Sequence, residues 1–194
     1  MTLANKITSV RLILAPLFFV VYLLPQFSSK LFESLTLWTV PVLWIIFIVS
    51  EITDFLDGMA ARKRGEVSDI GKLYDPFADT LTQLTYFFCF VIDGILPALL
   101  FLLVLYREFG ILFIRNLMLR KGIAMGARMG GKIKTVTYIL AGSCALLASS
   151  VRRLGLDNSL YRITSITACV IFLISVILAA YSFLDYVSVY RKHE

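Results

Sequence analysis

Residues 54–79 read DFLDGMAARKRGEVSDIGKLYDPFAD, with aspartates at 54, 57, 75 and 79. Together with Gly58, Ala61, Arg62 and Gly71 they set the spacing D-x2-D-G-x2-A-R-x8-G-x3-D-x3-D. Asp54 and Asp57 stand i to i+3 and Asp75 and Asp79 stand i to i+4, so on helices each pair shares one face. A reversal near Gly65 would let two antiparallel helices aim all four carboxylates at one spot. Unpaired anions in a poorly solvated place repel strongly. Carboxylates beside apolar segments are also costly enough to be seldom idle. A divalent cation relieves that repulsion, and oxygen-only ligands favour Mg2+, Mn2+ or Ca2+ over zinc. The chemistry suited to such a site is on phosphate. Gly58 and Gly71 permit close approach of a ligand or helix, and Arg62, one turn beyond Gly58, can offer a planar fork to a phosphate. Pro76 after Asp75 is tolerated if it sits in the first turn of a helix.

Two other readings of the charged segments fail. Aligning Gly58 with the glycine of an EF-hand loop puts Phe55 and Arg64 at ligand positions. GARMGGKI, residues 126–133, has the glycine and lysine spacing of a phosphate-binding loop, but Ile133 replaces the hydroxyl that would hold Mg2+.

The elements that must position the aspartates are apolar. The chain has 194 residues and is 59% hydrophobic, against about 45–50% for an ordinary soluble domain. Apolar segments near 8–24, 36–60, 75–93, 96–118, 133–151 and 163–188 are each of a length to cross a bilayer as a helix. The expected fold is an all-α integral membrane protein, a bundle of six transmembrane helices forming a single domain over 1–194. A membrane barrel would need short alternating strands, which are absent from the pattern. Asp93-Gly94 reads as a tight turn between the third and fourth spans. Lys6, Arg11 and LILAPLFFVVYLL resemble a signal peptide, but no small-residue cleavage site follows and further spans do, so this is expected to be a retained first helix. Trp38 is expected as an interfacial anchor and Trp44 as a buried ring.

The formal net charge is +6. Nucleic-acid binding is disfavoured, because the basic residues lie between apolar segments rather than along one face. With the N-terminus in the cytoplasm, most lysines and arginines fall on that side, while Lys30, Arg152, Arg153 and Arg162 fall outside. The aspartates then open toward the cytoplasm, in a multi-pass protein of the cell (inner) membrane surrounded by membrane lipids. Cys89, Cys144 and Cys169 lie in apolar runs without CxxC spacing and are expected as buried free thiols. His193, beside the C-terminus, is expected to do no chemistry.

The aspartate pattern resembles the signature of the CDP-alcohol phosphotransferases at all eight fixed positions. The resemblance extends over nearly the whole chain: NKITSVRLILAP, GKLYDPFAD, YREFGILFIR and GGKIKTVT are similar to segments of the bacterial phosphatidylglycerophosphate synthases. It implies a six-helix homodimer that moves a phosphatidyl group from CDP-diacylglycerol to glycerol 3-phosphate, releasing CMP. It implies Asp54, Asp57, Asp75 and Asp79 as metal ligands for two divalent ions, Mg2+ or Mn2+, with Asp79 also the general base. Gly58, Ala61, Arg62 and Gly71 resemble CDP-binding positions, joined by Asn5, Thr8 and Arg11 at the cytoplasmic face. A phosphorylated acceptor needs further cations, for which Arg107, Arg115, Lys132 and Lys134 are the candidates. Arg107 and Arg115 are about two helical turns apart and share a face, although Arg107 can instead pair with Glu108.

The chain departs from those synthases in having Thr80 where many carry lysine, and in a loop, RKGIAMGARMGG, that does not match position by position. Inositol phosphate, serine or choline therefore stand as alternative acceptors. An intramembrane prenyltransferase also pairs DxxD motifs with Mg2+ and a diphosphate, but is longer and lacks the DGxxAR block. A transporter or assembly protein with a carboxylate relay would need neither the glycine nor the arginine positions.

Overall fold

A backbone in lipid has no water to bond, so each apolar segment must satisfy its own amides and carbonyls, which a helix does. The computed structural model describes residues 3–27, 32–64, 71–123 and 129–192, with the side chains of 3–7, 27, 32–34, 55–64, 71–73, 129–130, 132 and 192 excepted. The helices are α1 (Leu3–Leu23), α2 (Phe32–Arg64), α3 (Gly71–Ile92), α4 (Ala98–Arg120), α5 (Met129–Arg153) and α6 (Asn158–Lys192), and a short 3-10 turn, Leu24–Phe27, follows α1. There is no strand among the described residues. Each expected span lies on one helix.

Four helices among the described residues are long and apolar enough to cross a membrane, over Thr8–Gln26, Leu35–Asp54, Ile133–Arg153 and Asn158–Arg191. The other two carry charges within their apolar runs, Asp75 and Asp79 in α3 and Arg107, Glu108 and Arg115 in α4. The chain is a membrane protein, and its outward face is apolar: Ile13, Trp38, Leu99 and Tyr181 are all exposed. Trp38 is 73% exposed. Trp44, expected to be buried, is only partly so, and its indole N–H donates to the buried Ser150 Oγ at 3.0 Å. All three cysteines are free; Cys89 is buried while Cys144 and Cys169 are partly so.

α3 begins at Gly71 rather than near 75, so Pro76 lies in its second turn, not its first. Its missing N–H leaves the carbonyl of residue 72 without the usual helical partner, while its fixed φ remains compatible with the helix.

The chain divides into two compact units. The first comprises Met1–Cys89 and Ser150–Asp157. Here α1 packs on α2, and α3 lies against both. Thr8 meets Asp75, Arg11 meets Asp79 and Phe18 meets Tyr86 at a nearly constant sequence offset, so α1 and α3 run parallel. Arg11 meets Asp54 near one end of the pair, while Phe18 and Phe47 share the Tyr86 ring further along, so α2 runs antiparallel to both. The ring centroids are 4.4 Å apart for Phe18–Tyr86 and 5.2 Å for Phe47–Tyr86. This topology brings the first turns of α1 and α3 and the polar end of α2 to one end of the unit. Near the opposite end of α1, Arg153 donates to the Tyr22 carbonyl at 2.9 Å and lies 4.1 Å over its ring.

The second unit comprises Phe90–Ser149 and Asn158–Glu194, with α4 packed on α6. The Asp93-Gly94 turn is formed as expected, with Gly94 at φ +71° and its N–H on the Val91 carbonyl at 2.9 Å. Gly110 permits close approach of α4 to α6. A Cβ there would lie 2.8 Å from Phe183 Cε2, inside van der Waals contact.

Overpacking of this kind costs about 1–3 kcal/mol. Gly110→Ala should lower the thermal midpoint of the purified protein in detergent micelles, and Gly110→Ala/Phe183→Leu should recover most of the loss. A double variant no more stable than Gly110→Ala would show that this contact does not set the α4–α6 distance.

Candidate active site

The aspartate site is built at the polar end of the first unit. On α1, Thr8 and Arg11 are i to i+3 and share a face, and both are buried. Thr8 Oγ1 donates to Asp75 Oδ1 at 2.6 Å. Arg11 Nη1 donates to Asp79 Oδ1 at 2.6 Å and also to Asp54 Oδ1, so one guanidinium nitrogen bridges a carboxylate of α3 and a carboxylate of α2. Ser9 Oγ and Tyr74 Oη, 3.1 Å apart, add a further bond between α1 and α3.

The burial of the partners is uneven. The Arg11 side chain is 2% exposed, whereas Asp54 and Asp79 are 34% and 37% exposed. Each carboxylate therefore meets the buried Arg11 while remaining partly exposed itself. Asp54 and Asp79 share the Arg11 guanidinium, and Asp75 accepts from the neutral Thr8 hydroxyl, so among these described contacts three carboxylates meet one cation.

Among the described residues no three acidic, histidine or cysteine side chains close into a metal-binding cluster. The side chain of Asp57 lies outside the described residues, as do those of Asn5, Ala61, Arg62 and Lys132; Gly58 and Gly71 likewise fall in the stretches whose contacts are not described. The donors that are described fit a hard divalent cation. They are all oxygen, two of them from different helices converge on one point, and the local charge is negative.

Thr8 and Arg11, expected at the nucleotide, are thus placed on the aspartates. Which helix α1 would face is not written in its own sequence. The available signal was the polar i, i+3 pair near the start of an otherwise apolar helix.

The acceptor candidates fall in the second unit, and two of them, Arg107 and Lys134, converge on an acid. Glu108 Oε1 accepts from Arg107 Nη1 at 2.8 Å, Lys134 Nζ at 2.9 Å and Tyr138 Oη at 3.1 Å. Arg107 also donates through Nε to the Ala179 carbonyl at 3.2 Å and through Nη2 to Ser182 Oγ at 3.1 Å. The pairing of Arg107 with Glu108 that the sequence allowed is therefore present, and Lys134 joins it. Arg115 points to the same helix as Arg107: its Nη2 donates to Tyr186 Oη at 2.9 Å, and its guanidinium lies 5.4 Å from that ring's centroid. Arg107, Glu108 and Lys134 are all buried. Among these described contacts two cations meet one carboxylate.

Comparison with known proteins agrees with the signature. The family profile described as CDP-alcohol phosphatidyltransferase matches residues 1–181. A CDP-diacylglycerol–glycerol-3-phosphate 3-phosphatidyltransferase of Treponema pallidum (strain Nichols) is 34% identical over 193 residues, covering 98% of this chain and 89% of its own. One of the same name from Bacillus subtilis (strain 168) is 35% identical over 149 residues, covering 75% of this chain and 76% of its own. A probable phosphatidylglycerophosphate synthase of Mycobacterium tuberculosis (strain H37Rv) is 34% identical over 139 residues, covering 72% of this chain and 63% of its own.

Removing one partner from a buried ion cluster leaves uncompensated charge and costs about 3–5 kcal/mol, whereas a single interhelical hydrogen bond in a membrane is worth about 0.6 kcal/mol. Glu108→Ala should therefore destabilise the protein far more than Ser182→Ala, with Glu108→Gln between them. Thermal unfolding in detergent micelles checks the order; equal losses for Glu108→Ala and Ser182→Ala would mean that Glu108 does not carry the charge balance.

Proposed function

The chain belongs to the CDP-alcohol phosphatidyltransferase family, and from that premise we propose that it transfers a phosphatidyl group from CDP-diacylglycerol to glycerol 3-phosphate, giving phosphatidylglycerophosphate and CMP in phospholipid synthesis. The observation that carries the reading is the convergence of Asp54 and Asp79 from two helices on one point, in a chain whose named relatives cover most of its length.

In the reaction, the acceptor hydroxyl oxygen attacks the β-phosphorus of the donor, on the diacylglycerol side. The bond from that phosphorus to the bridging diphosphate oxygen breaks, and CMP leaves with the electron pair. The acceptor's proton passes to the Asp79 carboxylate, which lies on the partly exposed side of the site. Asp54, Asp57, Asp75 and Asp79 would hold Mg2+ or Mn2+, two ions in this proposal, whose charge neutralises the diphosphate and the departing CMP. Gly58, Ala61, Arg62 and Gly71 are assigned to the CDP moiety by their place in the signature, and Asn5 is assigned with them.

A phosphorylated acceptor is favoured over serine or choline by the surplus of cations over acids among the described contacts of Arg107, Glu108 and Lys134, with Arg115 and Lys132 as further cations. Inositol phosphate is the second reading that the same surplus supports. The lysine and arginine distribution supports N- and C-termini on the cytoplasmic side of the cell (inner) membrane, with the aspartates opening there. The family resemblance supports a homodimer.

Purified protein in detergent micelles, given CDP-diacylglycerol, Mg2+ and a mixture of glycerol 3-phosphate, inositol phosphate, serine and choline, should make phosphatidylglycerophosphate and CMP. Mass spectrometry of the lipids reads the acceptor. Asp79→Asn should lower the rate by about 10²-fold or more, and EDTA should abolish it. A different lipid would reassign the acceptor, while no CMP from folded protein would sink the transferase reading.

A further inference from the structure

Arg11 does something that a nucleotide-binding arginine need not do: it bridges two carboxylates from different helices while being almost wholly buried itself. We infer that Arg11 is the site's resident counter-cation, competing with divalent metal for Asp54 and Asp79, so that metal loading and release of the guanidinium are coupled. The inference deepens the proposed function and rests on its assignment of these aspartates to a divalent cation.

Two carboxylates that accept from one nitrogen are held close together, and without a cation between them they would repel. The guanidinium supplies that cation from within the chain. Its hydrogen bonds occupy carboxylate oxygen atoms, Asp54 Oδ1 and Asp79 Oδ1, that belong to the same donor set a hard divalent ion draws on. A site whose competent form is only a fraction of the population binds its ligand more weakly by that fraction. Arg11 therefore preorganises α2 against α3 and at the same time lowers the apparent affinity for metal. Once displaced from the carboxylates, its planar fork is free to meet an anion, and a diphosphate is the group whose bidentate recognition suits it. Arg11 acts as a positioning residue in this account.

The test is metal binding, not turnover. Full-length protein in detergent micelles is stripped with chelator and titrated with Mn2+, following the loss of the free-ion signal by electron paramagnetic resonance, with thermal midpoints recorded with and without the metal. Arg11→Gln should bind Mn2+ about tenfold more tightly than the unaltered protein, should have a lower midpoint without metal, and should show a larger rise when metal is added. Arg11→Lys, which keeps the charge but loses the fork, should fall between the two and serves alone if the glutamine variant does not fold. Mn2+ binding that is present but no tighter in either variant overturns the competition while leaving the metal assignment intact. No Mn2+ binding by any of the proteins overturns both.

Discussion

Carboxylates placed against apolar helices must be given a partner, and that requirement organises the site. The most deeply buried ion of the group is Arg11, and a buried ion left unpaired costs several kcal/mol even after relaxation. The first unit answers with α1, whose early residues Thr8 and Arg11 reach Asp75, Asp79 and Asp54. The same parallel alignment of α1 and α3 continues into Phe18 against Tyr86 and Phe19 against Phe88. A polar pairing at one end and aromatic packing further along thus fix one register between the two helices, and a shift by a residue would break both. Packing and charge pairing specify the same arrangement, which is the consistency expected of a sequence that encodes a single structure.

The second unit meets the same constraint with the opposite sign. Arg107 and Lys134 are buried cations, and Glu108 is the acid that makes them tolerable. Tyr138 adds a hydroxyl to that carboxylate, and Ser182 with the Ala179 carbonyl takes up the remaining reach of Arg107. Helices in lipid gain nothing from hiding apolar surface from one another, so such bonds, together with close approaches like Gly110 to Phe183, are what tie α4, α5 and α6 together. Cations used in this way are structural groups whatever else they bind, and loss of activity on removing Arg107 or Lys134 would not by itself identify a ligand contact.

The helices were legible because the property that makes them, a run of apolar residues long enough for a bilayer, is local. The Asp93-Gly94 turn was legible for the same reason: Gly94 has the positive φ that glycine accommodates. Pro76 was misplaced because a helix start depends on how its first amides and carbonyls are satisfied, not on where the apolar run begins. Among the site residues, the aspartates declared themselves through spacing. Arg107 with Glu108 was readable because the two are neighbours, whereas Lys134 with Glu108 was not, since twenty-six residues separate them. The contacts of Arg11 with Asp54 and Asp79 were not readable, because only the tertiary fold puts α1 beside α2 and α3. Asp57 and Arg62 rest on the signature alone, their side chains lying outside the described residues.

The placement of Arg11 also bears on why the signature and the opening of the chain belong together. The spacing D-x2-D…D-x3-D specifies where acids lie on α2 and α3, but it says nothing of what holds those helices at a separation that lets the acids converge. A third helix with a cation does that. A neutral residue at position 11 would leave Asp54 and Asp79 to repel, and the helices carrying them would relax apart or wait for an external ion to be assembled. With arginine there, the helices are held at that separation before any ligand arrives, and an incoming cation must displace the guanidinium from the oxygen atoms it holds. On this account the catalytic pattern is incomplete when read from Asp54 to Asp79. Its functional unit extends to Thr8 and Arg11, the α1 residues whose contacts give the aspartates a common focus.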